Sequence, residues 1–322
     1  MKSNREKEDS SFIPHPSSFS VWPHRLAVAL AGATFPLLFI GGLVTGKGAG
    51  LSVPDWPTTF GYNMFLYPWS RMIGGIFYEH SHRLVASLVG LLTIVLAVTF
   101  WLKERRAWLR WLGVAALLLV VIQGVLGGLR VVLLEYALAI VHAGVAQAFF
   151  ALTVGLALWT SPEWRRPLAE EPLADGGKVR RLCLMTTAMI YVQIVLGAVL
   201  RHTGNRFDAH LLFAFFVAIH VLLVLRRVTG LDQYRPRLVR PAVWLTILLA
   251  VQILLGVGSF FGKFTPLLRM PMGGVVALTT THLATGALML AVSLGLTLRS
   301  YRAAAAPTPA AGGKILTEPF PI

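Results

Sequence analysis

The chain alternates long apolar runs with short polar joints. Eight runs recur, over about residues 26–45, 81–102, 109–129, 137–160, 181–200, 208–225, 242–262 and 274–298. Each is close to the roughly 20 residues a helix needs to cross a hydrocarbon core. They are apolar all round and show none of the two-residue alternation of a transmembrane barrel strand. The pattern predicts an all-α integral membrane protein with eight transmembrane helices. Residues 1–24 are polar and rich in Ser and Pro, and the apolar run after them is longer than a signal-peptide core. This predicts a disordered cytoplasmic tail and a retained first helix.

Charge then fixes an orientation. The net charge of +15 would suit a nucleic-acid binder, but all but eight of the 29 Lys and Arg residues fall in the N-terminal tail, after helices two, four and six, and beyond helix eight. That one-sided distribution follows the positive-inside rule. It predicts a multi-pass protein of the cell (plasma) membrane with both termini cytoplasmic and no nucleic-acid partner. Cys183 is the only cysteine, which excludes an intramolecular disulfide and any CxxC redox or zinc motif.

The odd helices share a motif. Helix three carries Gln123-Gly-Val-Leu-Gly127, helix five Gln193-Ile-Val-Leu-Gly197 and helix seven Gln252-Ile-Leu-Leu-Gly256. Helix one has Leu37 in place of the glutamine, followed by Gly41. One account is close helix contact at the glycines with glutamines hydrogen-bonding across helices. The repeat further suggests one helical hairpin used four times, giving two pseudo-symmetric four-helix bundles. Their boundaries are 25–162 and 180–302, with a cytoplasmic linker over 163–179 and a second tail over 303–322.

Each even helix adds a histidine near its outer end: His82, His142, His210 and His282. An ionisable group within a membrane helix needs a partner, solvent or a ligand. Neutral imidazole ligates haem iron, zinc or copper. Zinc and copper favour closely spaced ligands, whereas one histidine from each of two facing helices suits a haem inside a bundle. His82 and His142 would form one pair, His210 and His282 the other. His15 and His24 read as solvated tail residues and His80 as interfacial, while His202 and His220 lack repeat counterparts and read as structural. Arg83, Arg130, Arg201 and Arg206 sit beside the histidines, either as partners for haem propionates or as snorkelling interfacial residues. The halves differ at one point. Glu79 precedes His82 at the i, i+3 spacing of one helix face, suiting a site that handles protons or developing positive charge; the alternative is a carboxylate favoured by a helix N-terminus.

Tyr78-Glu-His-Ser-His-Arg83, the stretch "GLVTGKGAGLSVPDWPTTFGYN" and the histidines of "IVHAGVAQAFF", "FDAHLLFAFF" and "TTHLATGALML" together resemble the haem A synthase family. The likeness runs over residues 25 to 300. It implies oxidation of the C8 methyl of haem O to a formyl group, by successive hydroxylations and loss of water from a gem-diol, to supply haem A to terminal oxidases. By position, Glu79 would be the catalytic carboxylate; His82 and His142, with Arg83 and Arg130, would hold the substrate haem. His210 and His282, with Arg201, would hold a resident haem b. Implied partners are haem O, a haem O synthase, an electron donor that the sequence does not identify and membrane lipid, with self-association left open. The chain departs from some relatives in lacking a cysteine pair in its first outer loop and in having Thr45 where an arginine is frequent. The rival readings are a dihaem b-type membrane electron carrier, which would leave Glu79 idle, and a repeat-built transporter, whose helices would be broken near the midplane.

Overall fold

A computed structural model of the chain describes residues 21–166, 173, 175–231, 235–265 and 269–304. The eight apolar runs are eight membrane-length helices: α1 (Trp22–Gly46), α2 (Gly74–Lys103), α3 (Ala107–Leu133), α4 (Tyr136–Thr160), α5 (Gly176–Thr203), α6 (Phe207–Val228), α7 (Arg240–Phe264) and α8 (Met272–Ala304). Among the described residues there is no β-strand, only an isolated bridge between Thr59 and Tyr62. The expected tails over 1–20 and 305–322, and most of the expected linker between 167 and 174, lie outside the described residues.

Two boundaries differ from the expectation. Helix α1 starts at Trp22, so Trp22, Pro23 and His24 belong to the helix and not to a tail. Proline suits the first helical turn, where its missing N–H has no partner to lose. His24 is not solvated: its Nδ1 lies 3.1 Å from the Ala157 carbonyl and 3.4 Å from Thr160 Oγ1, tying the start of α1 to the end of α4. Helix α2 starts at Gly74, which puts His82 more than two turns inside it. The turns of "GGIFYEH" mix small, aromatic and charged residues, so hydropathy alone starts the helix too late.

Packing divides the helices into two rings. Helices α1 to α4 each pack on the next and α4 closes on α1; α5 to α8 do the same, and the rings meet where α1 and α4 touch α8 and α4 touches α5. The first ring is filled by Leu30, Leu96, Phe100, Leu109, Phe149 and Leu156, the second by Ile190, Val217, Leu245, Leu249 and Leu290. Lipid is as apolar as these cores, so small residues that allow close approach decide which faces meet. At the junction of the rings Gly42 and Gly46 of α1, one turn apart, lie against Thr280 and Val276 of α8; a methyl group on either would stand 3.0 Å from the facing side chain.

The connection from α1 to α2 is the long one, and it folds back over the bundle end. Its turn is built around Asp55, which accepts from Thr58 Oγ1 at 2.5 Å, Phe60 N–H at 2.7 Å and Gly61 N–H at 2.9 Å. Phe60 and Gly61 both have positive φ, the conformation such an Asp-nucleated turn requires. Trp56 lies on α3 at Gly128, where any Cβ would collide with the indole. Burial pushes the Asp55 carboxyl up, but the hydrogen bonds from Gly61, Thr58 and Phe60 outweigh it and hold it at about 2, below the ordinary 3.8. A carboxyl depressed by folding stabilises the fold above its unfolded value and loses that contribution as pH falls through the folded value. The loop therefore keeps its anchor at neutral pH and loses it between about pH 4 and pH 2. Hydrogen exchange over residues 52–62 should rise across that window in the wild-type chain, and Asp55→Asn should show the raised exchange already at pH 7.

Candidate functional site

The four histidines that recur in sequence also recur in geometry. In each hairpin the imidazole of the even helix lies on the glycine of its odd partner: His82 on Gly41, His142 on Gly127, His210 on Gly197 and His282 on Gly256. A Cβ built on these glycines would stand 3.1 to 3.2 Å from the ring Cε1, a tight contact that the ring would have to yield to by a few tenths of an ångström. Glycine thus serves four times in one way: it lets an imidazole lie against a helix backbone. The first hairpin, where Leu37 breaks the glutamine pattern, keeps the glycine seat without the amide.

The glutamines tie helix to helix beside the rings. Gln123 Nε2 donates to the His142 carbonyl at 3.1 Å and Gln193 Nε2 to the His210 carbonyl at 3.0 Å. In the second ring the amides also reach the imidazoles. Gln193 Nε2 lies 3.1 Å from His210 Nδ1, and His282 Nδ1 lies 3.1 Å from the Gln252 carbonyl. With Nδ1–H given to that carbonyl, His282 keeps Nε2, 3.4 Å from the Gln252 side-chain amide, as the nitrogen free to ligate; the Gln193 amide is a donor and sets no such tautomer at His210. In the first ring Nδ1 of His82 and Nδ1 of His142 are buried and have no hydrogen-bond partner among the described residues. Buried orphans of this kind are destabilising unless something else satisfies them.

The spacing of the second pair fits a haem. The His210 and His282 ring centres are 6.4 Å apart, with planes at 70°. A metal–imidazole bond of about 2.0–2.1 Å on each side, plus roughly 1.1 Å from nitrogen to ring centre, spans about 6.3 Å. Among the described residues no three His, Cys, Asp or Glu side chains gather into one ligand set; His82 and His142 lie within electrostatic reach of each other.

The carboxylate that distinguishes the first ring is buried at 3% exposure, whereas Asp208 before His210 is exposed. Glu79 Oε2 accepts from Val53 N–H at 2.9 Å and Oε1 from Arg83 Nη2 at 2.9 Å. Arg83 was expected beside a haem propionate. Its terminal nitrogens are instead taken by the loop and Glu79: Nη1 donates to the Asp55 and Thr58 carbonyls, and Nη2 to the Val53 carbonyl as well as to Glu79. Glu79 and Arg83 are therefore a buried ion pair that clamps the loop over His82. His80, expected at the interface, is 1% exposed, faces Thr59 Oγ1 at 3.2 Å and packs on Tyr67. Both serve the same loop.

Arg130 and Arg201 keep donors beyond those they use among the described residues. There Arg130 makes one hydrogen bond, from Nη2 to the Gly50 carbonyl at 3.0 Å. Arg201 reaches from α5 to two other helices, Nη2 to the Gly42 carbonyl at 2.7 Å and Nη1 to the Thr279 carbonyl at 3.2 Å. His202 lies within electrostatic reach of Arg130, Arg201 and Lys263, forming a basic cluster where the rings meet. Arg206 caps the start of α6 with a left-handed backbone, and His220 Nδ1 lies 3.0 Å from its own helix at the Phe216 carbonyl. Sequence spacing could not reveal the Arg201 bridge, whose partners lie 159 and 78 residues away.

Eight membrane-length helices with glycine-seated, paired imidazoles define an all-α multi-pass membrane protein built around histidine pairs. Residues 24–209 match the cytochrome oxidase assembly protein (COX15-CtaA) family, and the chain belongs to that family. The match ends one residue before His210, short of the expected 25 to 300. Relatives named heme A synthase include those of Shouchella clausii, 29% identical over 183 residues (56% of this chain, 59% of the relative), and Alkalihalophilus pseudofirmus, 32% over 171 residues (52% and 55%). The heme A synthase of Symbiobacterium thermophilum is 28% identical over 271 residues, 71% of this chain and 83% of the relative. The chain thus spans a little over half the length of the first two of these relatives.

Removing one member of a buried ion pair strands the other and costs about 3–5 kcal/mol. Arg83→Ala leaves Glu79 without its ion-pair partner, with only the more distant Arg130 near it, and three loop carbonyls without their donor, whereas Glu79→Gln keeps an acceptor for Val53. Limited proteolysis should cut Arg83→Ala within residues 47–73 at least tenfold faster than wild type, with Glu79→Gln between the two; equal rates in all three would refute the clamp.

Proposed function

We propose that this protein is a haem A synthase, a membrane oxidoreductase that converts the C8 methyl of haem O to a formyl group by successive hydroxylations and loss of water from the resulting gem-diol. The observation that carries the reading is the pairing of glycine-seated imidazoles combined with a buried carboxylate in one ring only. Membership of the cytochrome oxidase assembly family and the names of the relatives support it.

The two rings divide the work, and the two bundles are related by pseudo-symmetry. His210 and His282 hold a resident haem b; the 6.4 Å ring spacing and the fixed His282 Nδ1 support a permanently ligated group. When bound there, haem b supplies electrons. His82 and His142 bracket the substrate haem; their orphaned Nδ1 atoms support a site less rigidly set, as an exchangeable substrate needs. Glu79, one turn before His82, offers its carboxylate to a proton or developing positive charge. Arg83 orients that carboxylate, and the loop over it keeps water out. Arg130 and Arg201 retain free N–H donors suited to propionates.

Both termini lie on the cytoplasmic side of the plasma membrane, in keeping with the basic joints. Haem O would come from a haem O synthase, and a separate donor would supply the electrons. A dihaem electron carrier would use both pairs alike and would leave Glu79 only its place in the loop clamp.

Membranes expressing the chain with a source of haem O should yield haem A or its hydroxylated intermediate by liquid chromatography with mass detection. Glu79→Ala should abolish both products while haem is still bound. His210→Ala should deplete the haem b spectrum of the purified protein; product formation unaffected by Glu79→Ala would remove the catalytic role.

A further inference from the structure

Arg201 belongs to the second ring yet holds the first. Its Nη2 donates at 2.7 Å to the carbonyl of Gly42, the residue after Gly41, on which the His82 imidazole lies. Its Nη1 donates to the carbonyl of Thr279, three residues before His282 on the same helix. The next residue, Thr280, is fully buried and presses its methyl on Gly42. The seat of one histidine pair and the helix of the other thus share a single seam. Arg201, whose guanidinium has no carboxylate partner among the described residues, closes it.

We infer that Arg201 is a positioning residue for the first-ring site: by fixing the Gly42 carbonyl against α8, it sets the seat on which His82 meets its haem and couples that seat to the second pair. The inference rests on the paired-histidine reading above. A guanidinium has five N–H donors, so Arg201 can hold both carbonyls and still take a carboxylate of a haem in the second ring. Occupancy of one site is thereby felt as backbone position in the other. Such coupling is reciprocal, since two sites that bias one shared element must bias each other.

Two full-length backgrounds separate the sites. The chain carrying His210→Ala and His282→Ala reports the first pair alone; the chain carrying His82→Ala and His142→Ala reports the second. Each is titrated in detergent with ferric haem b, followed by the Soret band and by the low-spin electron paramagnetic resonance signal. Adding Arg201→Met to the first background should weaken haem binding by roughly five- to tenfold and shift the low-spin signal. Gly42→Ala should act in the same direction by wedging the seam, and Thr280→Ser, which removes the facing methyl, should restore binding in the double variant. That rescue separates the seam from general misfolding. If haem binds in both backgrounds while Arg201→Met leaves first-ring affinity and signal unmoved, the inference is overturned and the synthase reading stands. Failure of haem to bind at His82 and His142 at all would overturn both.

Discussion

The structure depends on one close contact made four times: an imidazole ring lying on a helix backbone where a glycine leaves room. In water such a contact would be one among many apolar ones. In a membrane, where lipid offers side chains as good a solvent as the protein interior, fit at small residues decides which helices associate. The same missing side chain that lets two helices approach also gives an imidazole room inside the bundle. Hairpin geometry and imidazole placement are one constraint here, and a methyl group on Gly41, Gly127, Gly197 or Gly256 would act on both at once.

The repeat is used unevenly. In the second ring the amide and carbonyl of glutamine residues meet the imidazoles, and the His210 and His282 rings stand 6.4 Å apart. In the first ring those contacts are missing at Nδ1, and the polar groups are concentrated in the loop clamp of Glu79, Arg83 and His80. A buried guanidinium bonded to three carbonyls and a carboxylate is a rigid object, and it fixes the buried carboxylate one turn before His82. Polar contacts gather at the imidazoles in one ring and at the loop clamp in the other.

Much of this was legible in the sequence. Length and hydropathy located eight spans, and the Q-x-x-L-G repeat with its four histidines identified the hairpin unit, because both rest on local spacing. The ends of the helices were less legible. Trp22 to His24 and the first two turns of α2 are helical despite low hydropathy, since proline at a first turn and tertiary partners such as the Ala157 carbonyl outweigh composition. The clamp that Arg83 forms was not legible because its partners are main-chain carbonyls of a loop 25 to 30 residues away, and a carbonyl has no signature in sequence. The Gly41 seat was half hidden by Leu37, which breaks the glutamine pattern but leaves the glycine in place. Arg201 was read only as a residue of the second ring, and the meeting of α1, α5 and α8 reveals it as a bridge.

The proposed pairing of the seated imidazoles at haem is tested most directly by a cryo-electron microscopy map of the full-length protein purified from haem-replete cells. Planar haem density between His210 and His282 is expected, with His282 Nδ1 still turned to the Gln252 carbonyl. Density for side chains alone, with the two imidazoles packed directly against each other in a haem-replete preparation, would contradict it.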